Sequence, residues 1–304
     1  MPDSAGKTIV EVLYPEYANQ AGDNGNAMYL RACLPDATFV ETSHDDVPYF
    51  AEHVPSLVLL CGMSEAQQEK TIELLMPYRD RLNELVDAGV PMLFTGSAPE
   101  VLGSKIVNPD GSEVCGLGIL DFVTHRNMPE RYHDVVIGDF VPAFGQQPIK
   151  VVGFKIQFTQ VEGPVDVSND TRYTTIETNP RVGKNLAGGG CSQTRFCHNE
   201  VGFGLNKQTK DEGFRKNNLM ATWLIGPLLP LNPDFTRYLL DLSWVGQTRL
   251  WPSRRRPVLL TTSVSRHSVC QAWAWPTSSQ RQRPSPERLQ SNCKRQLNKG
   301  EGLR

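Results

Sequence analysis

Val90-Pro-Met-Leu-Phe-Thr-Gly96-Ser-Ala-Pro-Glu-Val-Leu-Gly103 reads as an apolar strand that turns sharply into a short helix, with glycine at the bend. A short continuous apolar run fits a strand covered on both faces, as inside a parallel sheet. Sharp strand-to-helix bends hold the nucleophile in many α/β enzymes. This bend carries no cysteine, and Ser97, directly after the glycine, is expected to cap the helix that follows.

Strands and helices alternate upstream of the bend. Lys7 to Tyr14 is predicted as a strand, Gly25 to Leu34 as a helix behind the turn Gly22-Asp-Asn-Gly25, and Ala37 to Thr42 as a second strand. Ser56-Leu-Val-Leu-Leu60 is another buried-strand run, and Ser64 with Gln67 forms a capping-box pattern for one long helix that Gly89 ends. Leu74, Leu75, Tyr78, Leu82, Leu85 and Val86 keep helical spacing through it. This order predicts an α/β fold with a doubly wound, mostly parallel sheet.

Downstream the pattern changes. Residues 106–162 are β-rich, with strands expected over Val135–Val141 and Ile149–Gln157 and a turn at Asn108-Pro-Asp-Gly111. The 165–218 interval is polar and rich in Gly and Asn, and Cys197-His198 within it is read as loop. Asn218 to Ile225 is predicted as a strand and Asp234 to Leu242 as a closing helix.

Charge divides the 304 residues sharply. Residues 1–242 hold 19 Lys and Arg against 31 Asp and Glu, a net of −12, whereas residues 243–304 hold 12 against 2, a net of +10, with four of the five tryptophans. The tail keeps no helical or strand period, and prolines interrupt it at Arg254-Arg-Arg-Pro257 and Arg281-Gln-Arg-Pro-Ser-Pro286. Out-of-frame translation beyond about Leu242 is the favoured reading, ahead of a disordered polar tail and of binding to nucleic acid or an anionic membrane. The division is therefore 1–242 as the folded domain and 243–304 as an atypical basic tail.

No stretch offers the ~20 apolar residues that span a bilayer, and Met1 to Ala5 do not open a signal peptide, so a cytoplasmic location is expected. The seven cysteines form no Cys-x-x-Cys pair and are expected to be reduced and mostly buried. The spacing of Cys191, Cys197 and His198 matches no ordinary zinc pattern, and no metal is expected. The six histidines lie in polar surroundings and are read as surface residues. Cys61, at the end of an apolar run before Gly62, is read as a small buried thiol.

Four segments carry a family resemblance. Leu13-Tyr-Pro15 with Asn19, Gly22-Asp-Asn-Gly-Asn26 and Leu30-Arg31 resembles the opening of the glutamine amidotransferase subunit of lipid II isoglutaminyl synthase, a relative of cobyric acid synthase. Asn108-Pro-Asp-Gly-Ser-Glu-Val-Cys-Gly-Leu-Gly-Ile-Leu-Asp-Phe122 is similar to the stretch behind that family's nucleophile helix, and Gly226-Pro-Leu-Leu-Pro-Leu-Asn-Pro233 to its C-terminal signature. The bend at Gly96 falls between them in family order, and the match covers about residues 7–242. It implies a class I glutamine amidotransferase fold of the flavodoxin-like type, with β-rich additions.

In such amidotransferases a cysteine at the bend attacks the glutamine carboxamide, a histidine moves protons, and backbone N–H groups stabilise the oxyanion. The resemblance puts the nucleophile position at Gly96 and the histidine position at Ile225. It turns the family's Gly-Phe-Glu-Asn-His into Gly153-Phe-Lys-Ile-Gln157, and its Gly-Gly-Gly turn into Cys61-Gly62-Met63. Arg131 and Gln68 lie near positions that the family uses around glutamine, which makes Arg131, Gly62 and Gln68 the candidate substrate-binding set. No catalytic residue is intact.

The expectation is a glutamine amidotransferase-like subunit of a lipid II isoglutaminyl synthase complex without glutaminase activity of its own, a pseudoenzyme in peptidoglycan biosynthesis and the cell shape that depends on it. The implied partner is a Mur-ligase-like subunit in a heterodimer. That partner would bind ATP and lipid II, while this chain would carry no cofactor, no nucleic acid and no membrane insertion, and glutamine only if binding survives. The alternatives are a working glutaminase supplying ammonia to that partner, and a small-molecule binding protein on the same fold.

Overall fold

A computed structural model describes residues 7–127, 131–142, 146–165 and 193–244. Strand β1 (Ile9–Leu13) leads through a turn to α1 (Gly25–Cys33), then to β2 (Thr38–Thr42), the short α2 (Tyr49–Glu52) and β3 (Leu57–Leu60). Helices α3 (Glu65–Leu75) and α4 (Arg79–Asp87) return the chain to β4 (Met92–Thr95). The single long helix expected after Ser64 is thus two, separated by a 3-10 turn over Met76–Tyr78. Pro77 has no N–H to continue the α-helical ladder, and its ring crowds the preceding turn. The capping box at Ser64 and Gln67 is formed.

After β4 come a 3-10 turn (Ala98–Leu102), β5 (Lys105–Val107), β6 (Glu113–Cys115) and β7 (Val123–Arg126). Then follow β8 (Tyr132–Phe140), β9 (Ile149–Gln157), β10 (Thr159–Glu162), β11 (Thr194–Val201), β12 (Asp211–Lys216) and β13 (Leu219–Thr222). The short α5 (Leu228–Leu231) and α6 (Pro233–Trp244) close the described chain.

Nine strands form the main sheet in the order β2-β1-β3-β4-β13-β12-β11-β8-β9. Its first five are mutually parallel and the rest antiparallel. The parallel part has the 2-1-3-4-5 order of the flavodoxin-like doubly wound fold, in which ligands bind outside the carboxyl ends of the strands. Every residue of β3, β4 and β13 is buried, as their unbroken apolar runs require. Strands β10-β7-β5-β6 make a second, smaller sheet. Together these are the α/β architecture and the β-rich additions expected from the sequence.

Cys197-His198 belongs to β11, not to a loop. The strand was hidden because its buried positions are partly polar: the Arg195 guanidinium bonds Asp211 at 2.6 Å, and Asn199 donates to the Phe203 carbonyl at 2.8 Å. His198 is also not a free surface histidine, since its Nδ1 lies 2.8 Å from Asp211. Cys33, Cys61 and Cys197 are buried free thiols, while Cys115 is exposed. Cys191, Cys270, Cys293 and the tail beyond Trp244 lie outside the described residues. Among the described residues no helix is long and apolar enough to cross a membrane, and no group of three or more His, Cys, Asp or Glu could hold a metal.

Candidate functional site

Because β3, β4 and β13 run parallel, the segments leaving their carboxyl ends meet, and these carry Gly62, Gly96 and Ile225. Gly96 has φ of +64°, a left-handed conformation that costs an L-residue about 1–2 kcal/mol. A Cβ placed there would lie 2.9 Å from the Gly62 Cα and 3.1 Å from Cγ2 of Ile225. Ile225 is fixed in turn by paired backbone hydrogen bonds with Phe154 at 2.9 and 3.1 Å. The sharp bend is therefore present, and the space that a nucleophile's side chain needs is taken by backbone and by an isoleucine.

This crowding is measurable. Gly96→Cys is expected to cost about 2–3 kcal/mol, from the φ strain together with the contact on Gly62. Because Cγ2 of Ile225 presses on the same spot, Gly96→Cys and Ile225→Ala should couple favourably by about 1 kcal/mol in a double-mutant cycle read by denaturant unfolding. Strict additivity would show that the two residues do not share the site.

Ser97 does not cap the turn that follows, which has no side-chain cap. Its Oγ accepts from the Met63 N–H at 2.8 Å and donates to the Met63 carbonyl at 2.5 Å. The hydroxyl thus bonds the turn after β3, where it occupies a backbone N–H beside the bend. Cys61 offers no substitute nucleophile: it is buried, its thiol donates to the Asp23 carbonyl at 3.4 Å, and burial pushes its pKa well above the ordinary thiol value. The reactive thiolate form is suppressed there.

A cavity of about 290 Å³ opens beside the bend, and Gly96, Ser97, Gln68, Glu100, Gln157 and Ile225 are among the residues lining it. Neither cysteine nor histidine contributes to its described lining. Glu100 anchors the floor: its carboxylate accepts from Thr159 Oγ1 at 2.8 Å, Trp223 Nε1 at 3.1 Å and Gln68 Nε2 at 2.9 Å. Burial raises its pKa, opposed by those hydrogen bonds. Gln68 also donates to the Ser97 carbonyl at 2.9 Å and accepts from the Arg126 guanidinium at 3.1 Å. Five connected side chains, Arg126, Gln68, Glu100, Thr159 and Trp223, thus brace the bend, with Gln68 bonding its backbone at Ser97.

The structure brings together Gly96, Ile225, Gln157 and Gln68 around this one cavity. Gly62 touches it only through its backbone approach to Gly96. Arg131 is exposed, with its guanidinium 5.8 Å above the ring of Phe158, itself a lining residue. Glu100 and Trp223 were not singled out in the sequence. The only signal was an acidic residue inside the apolar turn Ala98–Leu102.

Asp23, from the Gly22-Asp-Asn-Gly turn, clasps the base of the site. Its carboxylate accepts from the Gly62 N–H at 3.2 Å, from Thr95 Oγ1 and from Asn26 Nδ2 at 3.0 Å. Asn26 Oδ1 accepts from the Leu229 N–H at 2.8 Å, and Gly25 is packed so tightly on Pro227 that a Cβ would come within 2.5 Å of its ring. The N-terminal motif therefore joins the turns after β3 and β4 to the C-terminal Gly226-Pro-Leu-Leu-Pro segment. Burial raises the Asp23 pKa to about 6.

No family model matches the chain. It is 30% identical over 180 residues to the lipid II isoglutaminyl synthase (glutamine-hydrolyzing) subunit GatD of Staphylococcus aureus (strain N315), which covers 59% of this chain and 60% of that protein. The match thus spans less than two thirds of that relative's length. Among solved structures the chain is similar to a glutamine amidotransferase at 14% identity, covering 77% of this chain and 99% of that one, with a TM-score of 0.41. A glutamine amidotransferase from Thermotoga maritima is 12% identical, over 71% and 75% of the two chains, with a TM-score of 0.40. PurLQS from the same organism is 9% identical, over 77% and 98%, with a TM-score of 0.47.

Proposed function

We propose that this chain is a glutamine amidotransferase-like subunit of a lipid II isoglutaminyl synthase complex that does not itself hydrolyse glutamine. The observation that carries the reading is the bend at Gly96, where a nucleophile's Cβ would meet the Gly62 backbone at 2.9 Å and Ile225 at 3.1 Å. An acyl-transfer site needs a nucleophile within reach of a base. Here the nucleophile position is bare, the histidine position is an aliphatic side chain and the neighbouring hydroxyl is spent on Met63. These features weigh against the alternative of a working glutaminase. The similarity to GatD supports the complex to which the subunit would belong.

In this reading the partner is a Mur-ligase-like protein that binds ATP and lipid II and activates the D-glutamate carboxylate, and the heterodimer works in the cytoplasm. The present chain stabilises or regulates that ligase and needs no cofactor. Affinity-tagged chain, purified from its own cell at moderate salt, is expected to bring down an ATP-dependent Mur-ligase-like protein in equal amount. Recovery of the chain alone, while the ligase is expressed, would contradict the proposed assembly.

A further inference from the structure

Along β8 and β9 the cross-strand register fixes which side chains share a face. His133 lies opposite Ile156, Val135 opposite Phe154, Ile137 opposite Val152 and Asp139 opposite Lys150. Side chains alternate along a strand, so these pairs stand on one side of the sheet, with Val136, Phe140, Val151 and Lys155 on the other. The second side is the covered one. Its four residues are fully buried, and Phe140 packs on Phe235 of α6 with ring centres 5.1 Å apart. The first side is apolar through its middle and incompletely covered: Val135, Ile137, Val152 and Phe154 are half-buried, and Ile156 is 41% exposed. Val201, also 41% exposed, extends it onto β11 opposite Ile137. A strand that buries Lys155 and exposes Ile156 inverts the usual polar-out pattern, and a contiguous exposed apolar patch marks a contact surface.

The edge of this sheet is closed to a further strand. The Val152 N–H donates to Asn232 Oδ1 and the Val152 carbonyl accepts from Asn232 Nδ2, both at 2.7 Å, while the backbone of Phe154 is paired with Ile225. Contact through β9 is therefore face to face and not edge to edge.

The two ends of the face carry opposite charge. At one end Arg131 is exposed, its guanidinium 5.8 Å above the Phe158 ring. At the other, Lys150 Nζ lies 2.8 Å from Asp139 and 2.5 Å from Glu200, so two carboxylates share one ammonium and negative charge is in surplus. Roughly 27 Å of strand separates Arg131 from Asp139, at about 3.4 Å per residue. A cationic end, an apolar middle and an anionic end make the face complementary to a copy of itself turned end for end.

We propose that this face holds a second copy of the chain. The β8–β9 ribbons of two copies stack about a two-fold axis that lies between them and runs across the strands, apolar middle on apolar middle. Arg131 of each copy then sits over the Asp139, Lys150 and Glu200 cluster of the other. Ile156 and Phe158 also line the cavity beside Gly96, so the second copy lies against two of its lining residues. In the proposed complex with the ligase this contact joins two heterodimers.

The test is sedimentation velocity on the purified full chain at low salt and micromolar concentration, without any other protein. A dimer is expected. Ile156→Glu, at an already exposed position, should weaken it about ten-fold or more. Val47→Glu, an equally apolar change at a residue 63% exposed before α2, should leave it unaltered. Arg131→Glu and Glu200→Arg should each weaken the dimer, and the two together should restore it, since the exchanged charges attract again across the two-fold. A monomer, a dimer as tight in Ile156→Glu as in the wild type, or a doubly exchanged variant no tighter than the single ones would each overturn the inference. A monomeric chain that captures the ligase, and loses it in Ile156→Glu, would assign the face to the ligase and overturn it equally.

Discussion

Lys155→Met is expected to destabilise the protein by about 4 kcal/mol, lowering its melting temperature by roughly 8–16 °C. Lys155 and Glu212 are both fully buried and form an ion pair, and the lysine also bonds the Gly204 carbonyl and lies 4.9 Å from the centre of the Phe203 ring. The other oxygen of Glu212 accepts from Thr222 Oγ1 at 2.9 Å and from the Trp223 N–H at 2.8 Å, so the carboxylate is fixed beside the site. Removing the lysine leaves that carboxylate buried with half its compensation gone, which is the costly way to break a buried pair. Lys155→Met with Glu212→Gln removes the charge from both sides and should recover more than 1 kcal/mol of the loss. A loss below 1 kcal/mol for the single variant, by denaturant unfolding, would contradict the buried pair. Lys155 falls where the family resemblance expects the glutamate of Gly-Phe-Glu-Asn-His, and the opposite charge here ties β9 to β12 through its ion pair with Glu212.

Asp23→Asn is the second large effect, and it has a pH signature. Both carboxylate oxygens accept hydrogen bonds, from Gly62, Thr95 and Asn26. An asparagine must turn an N–H toward one of these donors, and Asn26 cannot flip to receive it without losing its bond from Leu229. A cost of about 2–3 kcal/mol at pH 7 follows. In the wild type, burial raises the Asp23 pKa to about 6 from 3.8, so the folded state binds this proton more tightly than the unfolded state. The associated stability is fully present below about pH 4 and is lost as pH rises through about 6, a difference of about 3 kcal/mol. The variant has no such titration. Its deficit against the wild type should therefore grow by about that amount as pH falls from 7 to 4. A deficit independent of pH would show that Asp23 does not titrate in this range.

Most of the parallel core was legible in the sequence because its strands announce themselves as unbroken apolar runs and its turns as Gly-rich breaks. Val58 to Leu60, Met92 to Phe94 and the alternation with helices suffice for the architecture. What escaped notice depends on partners distant in sequence. Strand β11 looked polar because Arg195 and Asn199 are buried through bonds to Asp211 and Phe203. The break at Pro77 was masked by helical spacing that continues in register on both sides. The absence of a cysteine at Gly96 and of a histidine at Ile225 was readable against the family resemblance, and the structure adds that a Cβ on Gly96 would lie 3.1 Å from Cγ2 of Ile225. The chain from Arg126 through Gln68 to Glu100 and Trp223 spans four segments, so no local pattern announces it.

The most direct test of the account is ammonia release from L-glutamine by the purified chain, measured with the proposed Mur-ligase-like partner, ATP and lipid II present. The bare bend at Gly96 with Ile225 against it predicts no release above a partner-only control, and none from Gly96→Ala either. Release at a rate typical of working glutaminases, within the range of about 1–10³ s⁻¹ usual for enzymes, would contradict it.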